Sequence, residues 1–294
     1  MSPYPIISIP SNARDDTEQL GSKPKFWVML DGRRWLFKEA RPGTGEDWSE
    51  KVAAEIAHVL GIDAAAVELA DYEGRRGCIS LSFIDREVGE ALVHGNEVLA
   101  LRVTGYDKAR RFGQSDHTLE NIRDAIRSLF ASPQADQVLT GMAGYLVLDA
   151  LIGNTDRHHE NWGLRLRFHG GVHEMGLAPS FDHASSLGRE LLDPRREELL
   201  TTDGVARYLR KARGGIFREP GKRYGENPLR LVELAARAYP EHFRPSIEQV
   251  RGLSATAIDG SLDAVPTERA SPLAKQFATA CLNRARELLS EIPI

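Results

Sequence analysis

Asp149-Ala150-Leu151-Ile152-Gly153-Asn154-Thr155-Asp156-Arg157-His158-His159-Glu160-Asn161-Trp162-Gly163 organises everything around it. An apolar helix, roughly residues 141–152, runs up to Gly153 and stops there. Glycine is the residue that best tolerates the left-handed turn closing a helix. After Thr155 come six polar residues in a row, Asp156 to Asn161, before Trp162, Gly163 and Leu164 resume an apolar run. A polar island held at both ends by an apolar frame marks a site rather than a surface loop.

The spacing inside the island carries the chemistry. Asp156 and Asn161 stand five positions apart, the separation of the Asp and Asn in the protein-kinase loop H-R-D-L-x-x-x-N. Phosphoryl transfer uses such a pair because one carboxylate must orient a hydroxyl and take its proton. An amide oxygen a short arc away then holds a metal on the phosphates. Downstream, Ala178-Pro179-Ser180-Phe181-Asp182-His183 offers Asp182 as a second metal ligand. Upstream, Trp35-Leu36-Phe37-Lys38 places a lysine at the end of a short apolar strand, as V-A-I-K does.

D-R-H-x-x-N followed by S-F-D resembles the catalytic core of the HipA-like serine/threonine kinases. More distantly it is similar to the phosphatidylinositol 3/4-kinases, which share a G-D-R-H-x-x-N loop. The resemblance runs from about residue 21 to about residue 237 and implies an α+β, two-lobed, protein-kinase-like fold. A small β-rich lobe with one αC-like helix would occupy residues 21–88, a larger mainly helical lobe 89–294, and residues 1–20 an arm. ATP and Mg²⁺ are the implied ligands. Lys38 would grip the α and β phosphates, Asn161 and Asp182 would hold the metal, and Asp156 would deprotonate a Ser or Thr hydroxyl of a protein substrate. His158, the first His of D-R-H, would lie near the transferring phosphate. Ser82 and Phe83 fall in the interlobe hinge, whose backbone meets adenine, and Asp85 fits the acid that meets the ribose. Ser22 and Lys23 fall in the loop that covers the phosphates, although G-x-G-x-x-G is missing there. In the family a serine of that loop is autophosphorylated, which makes Ser22 the candidate. The biology implied is that of a toxin-like kinase restrained by an antitoxin.

Composition sets limits on partners. A net charge of −4 over 294 residues gives no general attraction to nucleic acid or to an anionic membrane, so neither is expected as a direct partner. Lys108-Ala109-Arg110-Arg111 and the run from Arg207 to Arg213 are local basic clusters, read either as meeting an acidic partner or as solvated helix faces. The two cysteines, Cys78 and Cys281, form no disulfide or zinc pattern, which fits a reducing cytosol. Met1-Ser2-Pro3-Tyr4-Pro5 has no basic leader or apolar run, so a cytoplasmic location is expected.

Taken in order, the first twenty residues read as an extended arm or a disordered lead-in. Phe26–Leu30 and Arg34–Phe37 read as a hairpin turned at Asp31-Gly32. A helix over 47–60 carries Trp48, Val52, Ile56 and Val59 as its apolar stripe, with Asp47 as N-cap and Gly61 as its stop. It occupies the αC position, and either Glu50 or Glu55 can pair with Lys38. Strands over 67–70 and 78–84 follow. Strand signals then fade, and helices are expected over 99–112, 119–130, 141–152, 203–212, 228–239, 245–252 and 269–291. A hairpin over 164–177 turns at Gly170-Gly171, and a polar, substrate-facing segment runs from 183 to 204.

Rival chemistries are weaker. Adjacent His158 and His159 diverge and lack the H-E-x-x-H spacing of a zinc hydrolase, and no G-x-S-x-G supports a serine hydrolase. A lipid or small-molecule kinase and a nucleotide-binding pseudokinase acting as a regulatory partner stay open.

Overall fold

A computed structural model describes residues 2–17, 25–169 and 172–294. Six strands come first: β1 (Ile6–Ile9), β2 (Arg14–Thr17), β3 (Lys25–Leu30), β4 (Arg33–Glu39), β5 (Val67–Tyr72) and β6 (Arg75–Leu81). They form one sheet in the order β1-β5-β6-β4-β3-β2. β1 runs parallel to β5, and every other neighbouring pair is antiparallel. The expected arm is extended, and it supplies both edges of this sheet.

Alternation along β4 decides where the lysine goes. Phe37 is fully buried against Phe26, Tyr72 and Ile79. The next side chain must leave by the opposite face, so Lys38 emerges on the side covered by α1 (Glu46–Val59). In α1, Trp48, Val52 and Ile56 are buried at steps of four, whereas Val59 is exposed. Asp47 is not the N-cap. Gly45 takes that position, and the Asp47 carboxylate is buried between Arg76 at 2.6 Å and Arg269 at 3.0 Å. Such a doubly paired acid is held by its partners rather than by the helix start.

Beyond the first sheet the chain departs from the expected pattern. β7 (Glu90–His94) lies where strand signals fade, and a short α2 (Gly95–Ala100) overlaps only the first two residues of the helix expected over 99–112. Residues 101–118 are turns: the Asp107 carboxylate accepts the N–H of Ala109 at 3.0 Å, a local bond that competes with helix formation. α3 (Leu119–Leu129) is capped by Thr118, which accepts from the N–H of Asn121. α4 (Ser132–Ile152) begins with Pro133 in its first turn and ends on Gly153 at φ 68°. At 21 residues, α4 is long and apolar enough to cross a membrane, yet it serves here as the central core helix, packed by its neighbours.

β8 (Gly163–His169) and β9 (Val172–Leu177) complete a second sheet in the order β7-β8-β9. The turn expected at Gly170-Gly171 lies outside the described residues. α5 (Asp193–Thr201) lies inside the polar segment expected over 183–204, and α6 (Gly204–Lys211), α7 (Pro228–Ala238), α8 (Pro240–Gly252), α9 (Ala255–Asp263) and α10 (Pro272–Ser290) follow. α4 is surrounded by α3, α7, α8 and α10, and one continuous core runs from Trp48 of α1 to Leu289 of α10. The architecture is α+β and two-lobed, with the αC-like α1 packed between the first sheet and α9.

Candidate active site

Gly153 turns the chain out of α4, and the polar island follows. Arg157 holds it in shape. Its guanidinium forms a two-pronged pair with Asp149 at 2.8 Å through both prongs. It also donates to the carbonyls of Asn161 at 2.5 Å and Phe181 at 3.3 Å. One buried cation therefore fixes both the loop carrying Asn161 and the residue before Asp182. A further donation to Ser180 Oγ at 2.9 Å continues from Ser180 to His183 Nε2 at 2.7 Å. Burial, and then the charge of Arg157, hold the His183 imidazole neutral, with its pKa pushed down to about 3. Asp149 is the buried acid that balances the Arg157 charge.

Lys38 Nζ lies 2.9 Å from Asp182 Oδ1 and 3.3 Å from Glu50 Oε1. Its side chain is only 13% exposed. Burial works against the ammonium form, but Asp182 and Glu50 outweigh it and raise its pKa above the ordinary value. Of the two acids left open for this pairing, Glu50 is the one in contact, since Glu55 bonds Lys51 at 2.7 Å. Glu50 Oε2 is buried with no hydrogen-bond partner among the described residues. Asn161 is buried, and its amide nitrogen donates to the carbonyl of Asp156 at 2.7 Å, which leaves its Oδ1 as the donor atom for a cation.

Three cavities meet here. A cleft of about 470 Å³ between the two sheets is lined by Lys38, Ser82, Phe83, Asn161, Phe181 and Asp182. A second, of about 330 Å³, shares Lys38 and Asp182 and adds Asp156 and Arg189. A third, of about 200 Å³, shares Asp156 and adds His158 and the 213–217 strap. Arg111 lines all three. Its guanidinium lies 3.2 Å from His158 Nε2 and 3.4 Å from Glu160 Oε2. This arginine, read in sequence within a basic cluster, is the residue that sequence reasoning missed. A local signal was present, since Asp107, Gly105 and Gly113 break the helix that would have turned it to solvent.

The carboxylate of Asp85 turns back on its own loop, accepting the N–H of Glu87 at 3.0 Å, and does not line the large cleft. Buried Glu90 does line it, held by Arg167 at 2.7 Å. The Ser82 N–H is taken by the carbonyl of Arg34 at 2.9 Å. His158 stands 4.0 Å from Asp156 and borders only the third cavity, away from the large cleft. Burial and the Arg111 charge push its pKa down to about 3, so it is neutral. Donors approach both of its ring nitrogens, the Glu160 N–H at Nδ1 and Arg111 at Nε2, although a neutral imidazole accepts at only one. Ser22 and Lys23 lie outside the described residues.

Hard oxygen donors from an amide and a carboxylate suit Mg²⁺, which keeps phosphate and water in its remaining positions. The Asn161 amide oxygen and the Asp182 carboxylate, beside a cleft with a buried ammonium, fit that requirement. Among the described residues no cluster of three or more His, Cys, Asp or Glu could hold a metal alone.

The model of the HipA-like C-terminal domain family matches residues 18–217. A proinflammatory kinase of Helicobacter pylori, CtkA, superposes with a TM-score of 0.77 at 17% identity, covering 97% of each chain. HipA of Shewanella oneidensis MR-1, solved in a complex with HipB and operator DNA, superposes with a TM-score of 0.58 at 13% identity, covering 97% of this chain and 70% of that one. No curated protein sequence matches. With most of its length inside the matched model and its fold shared with these two, the chain belongs to the HipA-like C-terminal domain family and has a kinase fold.

Proposed function

We propose that this protein is an ATP-dependent kinase that transfers the γ-phosphate to a Ser or Thr hydroxyl of a protein. The observation that carries the reading is Lys38, buried between Glu50 and Asp182 at the wall of the cleft that also presents Asn161. A buried, permanently charged lysine facing a cleft is suited to phosphate oxygens. Phe83, Ile84 and Leu92 give the other end of the cleft an apolar lining suited to a base.

In this reading Lys38 orients the nucleotide phosphates, and Glu50 keeps the lysine from leaving the wall. Asn161 and Asp182 would hold magnesium, whose charge, when bound, offsets that of the phosphates. Asp156 orients the acceptor hydroxyl and receives its proton as the new oxygen–phosphorus bond forms and the bond to the departing ADP oxygen breaks. The Arg111 guanidinium, shared by all three cavities, is placed to meet an anion passing between them.

An antitoxin-like protein partner and autophosphorylation at Ser22 belong to the same proposal, supported by family membership and by the HipB complex of the Shewanella HipA. The test is transfer of labelled γ-phosphate to the protein itself and to cellular proteins, read by phosphopeptide mass spectrometry. Wild type should label serine or threonine, and Asp156→Asn should lose this by about 10²–10⁴-fold. Equal labelling by the two would overturn the role of Asp156. ATP binding without turnover would mark a pseudokinase instead.

A further inference from the structure

The third cavity, on the side of Asp156 away from the large cleft, has an unusual rim. Arg111, Arg213 and Arg223 stand around it, with Phe112 and Tyr224 beside them. Both aromatic rings are largely in solvent, Phe112 at 68% and Tyr224 at 59% exposure. Exposed aromatics interleaved with arginine, with little lysine, are the composition of a binding surface rather than of ordinary protein exterior.

The charge is local, and of the three arginines only Arg111 has a carboxylate beside it among the described residues, Glu160 at 3.4 Å. Residues 204–225 hold seven basic side chains and one acid in a chain whose net charge is −4. That acid, Glu219, is already held by Lys222 at 2.9 Å. Neither Arg213 nor Arg223 has a carboxylate partner among the described residues. Arg213 donates only to the carbonyls of Arg210 and Ala212, and Arg223 lies 5.0 Å over the ring of Tyr224. Arg111 shares His158 with a second donor, so an incoming anion would relieve a contact that the imidazole cannot satisfy twice.

The surface is also preformed and tied to the catalytic loop. Phe217 donates to the carbonyl of His117 at 2.9 Å, and His117 Nδ1 bonds the carbonyl of Gly215 at 2.8 Å. Gly214 and Ile216 are zipped to Glu226 at 2.8 and 2.7 Å. A Cβ on Gly215 would stand 2.6 Å from the carbonyl carbon of Arg157, so only glycine lets this strap lie against the loop carrying Asp156. A ligand on the strap is thereby fixed relative to Asp156, and a rigid surface binds with little loss of freedom.

We infer that this cavity is the acceptor-docking site and that it takes a protein segment whose Ser or Thr is flanked by Asp or Glu. The inference rests on the kinase reading for the fate of the hydroxyl, but not for the docking itself. Carboxylates match the arginine forks two-prong to two-prong. A pocket of about 200 Å³ bordered by Phe112 and Tyr224 fits a short extended segment. A nucleic acid would need a longer basic track than a chain of net −4 presents here.

Fluorescence anisotropy with short labelled peptides tests this, using a central Ser flanked by Glu, by Gln or by Arg. The wild-type chain should bind the Glu peptide about tenfold or more tightly than the Arg peptide, in line with charge complementarity at interfaces. Arg213→Glu with Arg223→Glu should reverse that order while ATP affinity, measured by calorimetry, stays within about twofold. Arg213→Gln with Arg223→Gln, a milder pair should the reversal disturb folding, should abolish the preference. Equal binding of the three peptides, a preference untouched by both pairs, or displacement of the peptide by a tighter-binding single-stranded RNA would each overturn the proposal. Binding of the Glu peptide without its phosphorylation would instead overturn the kinase reading and leave the docking site standing. Efficient phosphorylation with no preference for the Glu peptide would do the opposite.

Discussion

Lys38 and Asp182 are 144 positions apart in the chain, and their charged groups stand 2.9 Å from each other. Lys38 comes from the first sheet and Asp182 from the loop after β9, so the pair exists only when the two halves of the molecule are assembled. α1 contributes to the same point through Glu50 at 3.3 Å and is anchored at its own start, where Asp47 meets Arg269 near the beginning of α10. Asp182 adopts φ 64°, a left-handed backbone disfavoured by roughly 1 kcal/mol that Asp tolerates better than most residues. Strain held at this one acid is consistent with an orientation imposed by its surroundings.

Asp182→Asn should therefore lower phosphotransfer by about 10²–10³-fold, the range for loss of one preorganised charged group. Glu50→Gln should cause a smaller loss, about tenfold, expressed mainly in the KM for ATP, because it loosens the lysine without removing a ligand. Steady-state kinetics on the two variants decide this. A larger effect from Glu50→Gln would contradict the assignment of Asp182 as the metal acid.

Arg111→Ala should reduce kcat by about 10²-fold with the KM for ATP within about threefold, as expected for a group acting on charge in transit. The same substitution has a spectroscopic signature. Burial comes first, but the Arg111 charge also holds the His158 pKa down, at about 3. Its removal should let the His158 ring titrate at higher pH in an NMR titration. An unmoved His158 resonance would show that the two side chains are not in contact in solution.

Asp149→Asn keeps the shape of the side chain but leaves Arg157 as an uncompensated buried charge. Breaking such a pair destabilises by about 3–5 kcal/mol. The urea midpoint should fall accordingly, and phosphotransfer should fall with it, since Arg157 also holds the carbonyls of Asn161 and Phe181. Retention of the wild-type midpoint would mean that Arg157 is not dependent on this acid.

Acidification should unfold the protein through its buried imidazoles. Burial is the leading cause that pushes His117, His158 and His183 down to about 3, against about 6.5 in an unfolded chain. The unfolded state therefore binds more protons across that interval. Stability is full above about pH 6.5 and declines as pH falls toward 3, by up to about 1.4 kcal/mol per pH unit for each such group. His117→Gln should make the decline shallower. Urea unfolding from pH 7.5 to pH 5 measures it, and a flat profile would contradict the neutral, buried assignment.

Reading the chain alone succeeded where the information is local. Asp31-Gly32 sets the hairpin, Gly153 ends α4 in the left-handed conformation, and Lys38 falls near the end of a short apolar strand. It failed where a local signal was overridden or too short. β7 spans five residues with Glu90 at its first position, a weak pattern that becomes a strand only by pairing with β8. Asp47, with Glu50 three positions on, has the spacing of a helix cap, yet its partners lie 29 and 222 positions away.

Sequence by itself determined which residue types could do the chemistry, because the Asp156–Asn161 spacing, the acid of the S-F-D run and a lysine ending a strand are short-range facts. Only the tertiary structure decided that Glu50 rather than Glu55 meets that lysine, that Arg111 enters the site, and that the carboxylate of Asp85 turns away from it. Side chains brought together from distant positions owe their distances to how the sheets and helices pack, and packing is a property of the whole core rather than of any stretch within it.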